Sequence, residues 1–436
     1  MKLTFYGGAS EVGRLCLVLE ENEKNLMLDC GIKLGQKTEF PQISDEELSK
    51  IQNIVISHAH MDHSGYLPHL HSKKLTPQIY MTKPTRDLIG VLLADYQRIH
   101  AQKEEKRLFS SKDVDGVLKS AKVVEYFEKF NAGFDITFFP AGHVLGSAIT
   151  LIEHANHRII FSGDICMRKT RVLDPCYKNV EADTLIIENT YGGKDDLIPS
   201  YKESYAKIIQ IINQTLDRGG HVIIPSFAVG RAQEILLALD DYMRSGALKP
   251  TKIYIEGMIG KAMKIYRHNA YYANDDIKKR ILMSDDDPFQ SPNFYKSRSK
   301  TREDVLSEPS IIVTTSGMLS GGPVLYYLEK LAHDPKNSII FVGYQAEGTL
   351  GRKISSGEKE VEFTIDDQVK TLNVRMQVES VRLSGHADYN ELIHFIKSIK
   401  GLKRIFLMHG EKEDLKIALE KDYQVIQPKM FGSYEL

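Results

Sequence analysis

No stretch of the 436-residue chain approaches the roughly 18 consecutive apolar residues of a membrane-spanning helix, so contact with a membrane is not expected. The first residues, MKLTFYGGASEVG, lack the basic segment and apolar core of a secretory signal, and export is not expected either. Four cysteines, Cys16, Cys30, Cys166 and Cys176, show no CxxC spacing and stand mostly in apolar or turn contexts. They read as reduced structural residues of a cytoplasmic protein. An excess of charge of either sign is lacking: the formal net charge of −1 excludes a protein that coats nucleic acid over its whole surface, though not one with a local positive groove. Internal repeats and low-complexity segments are absent too. What remains, 42% hydrophobic and 26% charged residues, is the profile of a globular enzyme, and the length points to two domains.

Short apolar runs separated by turn residues dominate the first part: KLTFYG, LCLVLE, NLMLDCG, NIVIS, DITFFP, AITLIE, RIIFSGD and TLIIENT. Several alternate, which predicts strands of a sandwich of two sheets. After residue 195 helices and strands alternate, beginning with YKESYAKIIQIINQTLDRGG, HVIIP and GRAQEILLALDDYMRSG. That order implies parallel βαβ units. The expected organisation is a first domain over 1–194, an inserted α/β domain over 195–372 and a return to the first domain over 373–436.

Against this background SHAHMDHSG, residues 57–65, places three histidines and an aspartate within six positions after an apolar run. Imidazole nitrogen and carboxylate oxygen are metal ligands near neutral pH, and such a density is hard to explain as a solvated loop. His58 and His60 can converge on one ion while Asp62 and His63 face a second. His143 in PAGHVLGS, Asp164 in FSGDI and His409 in FLMHGE each stand at the end of an apolar strand. Strand ends along one edge of a sandwich meet in space, and a carboxylate such as Asp164 can bridge two ions about 3.5–4 Å apart.

HAHMDH, with Asp29 in LMLDCG, His143 in GHVLGS and Asp164 in SGD, resembles the metallo-β-lactamase-fold hydrolases. ENTYGG (188–193), PSFAVGRAQE (225–234), TTSGMLSGGP (314–323), GYQAEGTLGR (343–352), LSGHAD (383–388) and MHGE (408–411) narrow the resemblance to the β-CASP nucleases. That group includes RNase J and the endonuclease subunit of the cleavage and polyadenylation specificity factor. The resemblance implies a metallo-β-lactamase αββα sandwich with an inserted α/β (β-CASP) domain of mostly parallel sheet. It implies one zinc on His58, His60, His143 and Asp164, and a second on Asp62, His63, His409 and the shared Asp164. Asp29 matches a carboxylate that orients ligand histidines, the reading favoured over a plain strand-end turn residue. The catalytic set would be His386 and Glu188, as a proton donor and its carboxylate, together with Asp62; His386 could alternatively only bind phosphate.

Further positions matched to the family's motifs are Ser316, Gly317, Met318, Ser384, Gly385 and Ala387 at the substrate, with Arg231 and Arg352 at substrate or domain interface. TTSGMLSGG offers small residues and backbone N–H groups suited to a phosphate, though it also reads as a plain βα turn. In KSRSKTR, 296–302, an extended chain would put Lys296, Arg298, Lys300 and Arg302 on one face, as a phosphate-tracking stripe or a solvated loop.

Departures from the family pattern are Asn189 where serine is common, and no match to the KH modules or the extra C-terminal domain of some relatives. The expected activity is a two-zinc ribonuclease on single-stranded RNA, endonuclease or 5′→3′ exonuclease, in RNA processing or decay. A homodimer or an RNA-processing complex is compatible with the family. The rivals are a β-CASP DNA nuclease, against which the histidine at 409 speaks, a small-molecule metallo-hydrolase, and a scaffold that has lost its ligands.

Overall fold

Strand ends of two mixed sheets set the positions of His58, Asp164 and His409. The structure, a computed structural model, describes residues 1–35, 37–102, 108–284, 286–365 and 368–436. Two compact units form, one from residues 1–169, 173–197 and 385–436, the other from 170–172 and 198–384.

The first unit contains two seven-stranded sheets. One runs in the order Ser433–Glu435, Lys2–Gly7, Cys16–Glu21, Lys24–Leu28, Asn53–Val55, Gln78–Met81, Ala121–Val123. The other runs Gln424–Ile426, Arg404–Met408, Thr184–Glu188, His157–Phe161, Ala148–His154, Asp135–Pro140, Lys129–Asn131. Leu3, Phe5, Leu17, Leu26 and Leu28 from the first sheet pack with Phe138, Ile152, Phe161, Ile186 and Phe406 from the second, forming one continuous apolar layer. Alternation along each strand supplies that layer, since successive side chains face opposite ways. The other face of the second sheet, with Ile160, Leu185, Ile187 and Leu407, is covered by Leu392, Phe395, Ile396, Leu415 and Leu419. These come from the helices Tyr389–Ser398 and Asp414–Leu419. The helix Lys83–Gln102 follows the strand Gln78–Met81 of the first sheet, and Ser111–Ser120 leads into its strand Ala121–Val123; the two complete the αββα arrangement.

In the second unit a six-stranded sheet is parallel throughout, in the order Phe294–Lys296, Ile253–Glu256, Ile311–Thr314, Val222–Pro225, Ser338–Phe341, Gln377–Ser380. The helices Tyr201–Asp217 and Arg231–Arg244 fall where the periodicity predicts them. Ser200 caps the first with a reciprocal bond to Glu203, satisfying two donors that the first turn leaves open.

Two expectations change. The insertion continues past 372, because Gln377–Ser380 pairs in parallel with Ser338–Phe341, and the chain rejoins the first unit at Gly385. A short alternating run reads as a strand but does not reveal which sheet will accept it. Second, 296–302 is not one extended stripe: the strand stops at Lys296, Ser299–Thr301 is a 3-10 turn, and Arg302 opens a short helix. The Arg302 guanidinium pairs with buried Glu256 at 2.7 Å, so it is committed inside its own unit. Among the described residues no helix is long and apolar enough to cross a membrane.

Candidate active site

His157–Phe161, Thr184–Glu188 and Arg404–Met408 are adjacent parallel strands, so their carboxyl ends lie side by side. Asp164, Glu188 and His409 therefore collect at one edge, the place where open parallel sheets gather functional groups. Asp29, beyond Lys24–Leu28, and His58, beyond Asn53–Val55, arrive from the neighbouring ends of the other sheet. Asp29 and His409 both adopt φ 57°, which turns the backbone sharply out of its strand. Asp62 and His63 ride on the single-turn helix Met61–Ser64. Gly31 lets the chain after Asp29 run against that helix, since a Cβ there would lie 1.6 Å from the Asp62 carbonyl oxygen.

Donor atoms converge in three groups among the described residues, two of them rich in imidazole. One atom from each of His58, His60, His143 and Asp164, and likewise from Asp62, His63 and His409, lies within 4.8 Å of the others in its group. His60 Nδ1 sits 3.1 Å from both His58 Nε2 and His143 Nε2. Asp164 Oδ2 lies 3.6 Å from His58 Nε2, 3.7 Å from His143 Nε2 and 3.4 Å from His63 Nε2. Asp164 Oδ1 is 3.6 Å from His409 Nδ1, whose ring presents Nε2 to Asp62 Oδ2 at 3.3 Å. The buried atoms His63 Nε2 and Asp164 Oδ1 have no hydrogen-bond partner within the protein. Buried polar atoms gathered this closely without a hydrogen-bond partner are costly unless a cation, a metal ion or a proton, sits among them. The donor set fits a divalent metal.

The electrostatics agree. Burial holds the His58 and His143 imidazoles well below their ordinary pKa, and that of His60 is lowered for the same reason, which leaves neutral ligand nitrogens. Burial pushes the Asp164 carboxyl upward, but His63, His409 and His386 outweigh it and hold the group ionised, well below the carboxylate range. At His63 burial opposes the charge, yet Asp164, Asp29 and Asp62 raise it well above its usual value. A proton there occupies the place that a metal would take.

Supporting bonds fix the ring orientations. Asp29 Oδ2 lies 2.6 Å from His63 Nδ1, while Oδ1 accepts from the Ser57 N–H at 2.7 Å. Ser57 Oγ donates to Asp29 Oδ2 at 2.7 Å and lies 3.1 Å from His58 Nδ1. Thr190 Oγ1 lies 3.2 Å from His409 Nδ1, and the Gly385 carbonyl 2.8 Å from His143 Nδ1. Such contacts select the tautomer that leaves the opposite nitrogen for a metal. Neither Ser57 nor Thr190 stood out in the sequence, although each adjoins a motif and carries a hydroxyl.

His386 belongs to the third group, with Glu188 and Asp164, and its Nδ1 lies 3.9 Å from Asp164 Oδ2. Its Nδ1 is 2.7 Å from Glu188 Oε2, and Glu188 Oε1 accepts from the Ile165 N–H at 2.7 Å. Glu188 is fully buried, whereas the His386 side chain keeps 20% of its surface. A histidine paired through one nitrogen to a buried carboxylate can hold and deliver a proton. The turn bearing it is anchored by Ala387 N–H to Ile165 O at 2.7 Å and by Arg168, which donates to Glu391 and Asp388 at 2.7–3.0 Å. No sequence signal marks Arg168; only folding brings it to this turn. Ala387 departs from its expected place at the substrate: it is fully buried and its N–H is already spent.

The remaining predicted positions fall in the second unit. Ser384 is buried, with its carbonyl accepting from Tyr201 Oη at 2.6 Å. The Ser316–Met318 loop is braced internally: Ser316 Oγ donates to Gly321 O, Gly317 O accepts from Gln345, and Met318 O accepts from the Gly351 N–H. Arg352 is exposed on the helix Leu350–Ser355, and half-buried Arg231 opens Arg231–Arg244.

Comparisons with known proteins bear on this arrangement. Residues 18–187 match a metallo-beta-lactamase superfamily domain, 232–354 the Beta-Casp domain, and 371–424 a Zn-dependent metallo-hydrolase RNA specificity domain. The chain is 37% identical over 442 residues to the transcription termination factor FttA of Methanothermobacter thermautotrophicus, covering 97% of this chain and 70% of that protein. It is 38% identical over 427 residues to FttA of Methanocaldococcus jannaschii, covering 94% and 67%. A protein of unknown function from Enterococcus faecalis V583 shares the fold, with TM-score 0.60 and 12% identity over 100% of this chain and 99% of that one.

Proposed function

The chain belongs to the β-CASP group of the metallo-β-lactamase superfamily, and from that membership we propose a metal-dependent ribonuclease that hydrolyses phosphodiester bonds of single-stranded RNA, in RNA processing or decay. The observation that carries the reading is the pair of donor groups around Asp164, with two buried lone-pair atoms otherwise unsatisfied. Imidazole-rich sets closed by one carboxylate suit zinc. His58, His60, His143 and Asp164 would hold one ion, and Asp62, His63 and His409, with Asp164 shared, the other. Bound there, two zinc ions supply a Lewis acid that activates water and neutralises phosphate charge.

The protein's own groups do the rest. Asp29 and Ser57 hold the His63 and His58 rings in one tautomer. His386 delivers a proton to the departing oxygen, and buried Glu188 favours its charged form and fixes its ring. Ser316, Gly317 and Arg352 are read as substrate contacts. The four cysteines, buried and unbridged, support a reducing compartment such as the cytoplasm.

The test is elemental analysis of the purified chain together with cleavage of RNA labelled at either end. Zinc near two ions per chain and RNA products are expected; full activity in His60→Ala would overturn the ligand assignment. The labelled ends also separate internal cutting from stepwise 5′→3′ degradation.

A further inference from the structure

We propose that the second unit carries an RNA-binding site of its own, made from one face of the helix Ile259–His268 and the edge strand Phe294–Lys296. The proposal rests on the reading of the chain as an RNA hydrolase. In a chain whose 57 basic and 58 acidic residues nearly cancel, this helix holds Lys261, Lys264, Arg267 and His268 and no carboxylate. All four are exposed, while Ile259, Ala262, Met263 and Tyr266 are buried. Spacing of three, four and seven places the cations on one side of the helix.

Beside the helix, Phe294–Lys296 is an edge strand, paired among the described residues only with Ile253–Glu256. A cavity of about 450 Å³ opens here. Its apolar lining is Ile255, Met263, Phe289 and Phe294, and its cations are Lys264, Arg267 and Lys296, with the His268 imidazole beside them. Arg267 is engaged by Asp287. Lys264, His268 and Lys296 form no ion pair with a carboxylate among the described residues. The exposed Arg298 and Lys300 extend the positive surface beyond Lys296. Gly260 also lines the cavity, and a Cβ built on it meets nothing within 4 Å. The space is open to a ligand.

An apolar floor that offers the half-buried Phe294 ring, flanked by the uncommitted Lys264 and Lys296, matches a single-stranded nucleic acid. An unpaired base can lie on the floor while flanking phosphates meet the rim. A duplex buries its bases and would leave that floor without an occupant. An acidic peptide satisfies the cations but gives the Phe294 ring no flat partner.

The experiment uses the full chain, with Lys264→Glu/Lys296→Glu and Gly260→Trp as variants. Exposed charges and open space make both compatible with the fold, which a thermal melt checks. Affinity for a labelled single-stranded RNA of about 25 nucleotides is read at several salt concentrations, since counterion release makes each phosphate contact visible in the slope. Turnover of bis(p-nitrophenyl) phosphate is read in parallel. The double variant should bind RNA roughly tenfold more weakly, with a log–log salt slope shallower by about 1.4, at about 0.7 per lost contact. Gly260→Trp should weaken binding with less change in slope, and both should hydrolyse the small diester at the parental rate. RNA affinity and slope equal to the parent's would overturn the proposal. So would loss of poly-glutamate binding with RNA affinity retained, which transfers the surface to an acidic protein. A parent that binds RNA here but cleaves none would instead sink the ribonuclease reading and leave this site standing.

Discussion

His60 and His386 are the two side chains whose replacement separates metal binding from proton delivery. His60 Nδ1 faces two other histidine nitrogens at 3.1 Å, so His60→Ala should lower metal content and abolish cleavage together, as measured by elemental analysis and RNA turnover. His386 Nδ1 is held by Glu188 at 2.7 Å, closer than the 3.9 Å that separates it from Asp164. His386→Ala should keep its metal while the cleavage rate falls by roughly 10²–10⁴, the usual span for a lost general acid. Loss of metal from a folded His386→Ala protein would show it to be a ligand. His63 predicts a pH effect. Its three carboxylate neighbours raise its pKa despite burial, so in the metal-free protein it stays protonated above the ordinary histidine range. Metal must displace that proton, so affinity should fall with acidification and rise with pH until His63 is neutral without metal. Chelator competition at roughly pH 6 and roughly pH 8, either side of the ordinary histidine pKa, reads the sign. An affinity unchanged across that interval would contradict it.

At the scale of elements, the turn carrying His386 depends on the helix Tyr389–Ser398 and on the salt-bridged anchor beneath it. Arg168 grips Asp388 and Glu391 at the start of that helix, and Asp388 also caps it. Arg168→Ala should loosen the turn and slow RNA cleavage by roughly 10–100-fold, the range for outer partners of a reactive group, with metal content unchanged. Hydrolysis of bis(p-nitrophenyl) phosphate should fall much less, because its leaving group needs no proton donor. Equal losses on both substrates would mean general unfolding instead. Farther from the chemistry, Phe395 packs its fully buried ring against the second sheet. Phe395→Ala should cost about 3–5 kcal/mol in a denaturant melt, by lost burial and the cavity left behind.

For the whole molecule, net charge and active-site chemistry together set the substrate. A formal charge of −1 gives little long-range attraction for a polyanion, so recognition must come from local contacts. Unstructured RNA should be cleaved, a stable RNA duplex much more slowly, and single-stranded DNA weakly or not at all. Salt should inhibit with a shallow slope, as only a few counterions are released. Rates on one sequence prepared in the three forms decide this, and faster turnover of DNA would move the chain to the DNA-processing branch of its family.

The αββα sandwich, the inserted parallel sheet and the candidate ligands from His58 to His409 were legible in the sequence. Alternating apolar runs announce strands, βαβ order announces parallel pairing, and HAHMDH concentrates ligand-type side chains beyond what solvation explains. The partners of those groups were not legible. Arg168 meets Glu391 across 223 residues and Ser57 meets Asp29 across 28, and no periodicity encodes which distant side chain will stand at hydrogen-bond distance. The placement of Gln377–Ser380, the commitment of Arg302 to Glu256 and the burial of Ala387 were settled the same way. Local pattern selects an element and the face it buries, whereas partner choice depends on how separate elements pack, and that is set only when the chain has folded.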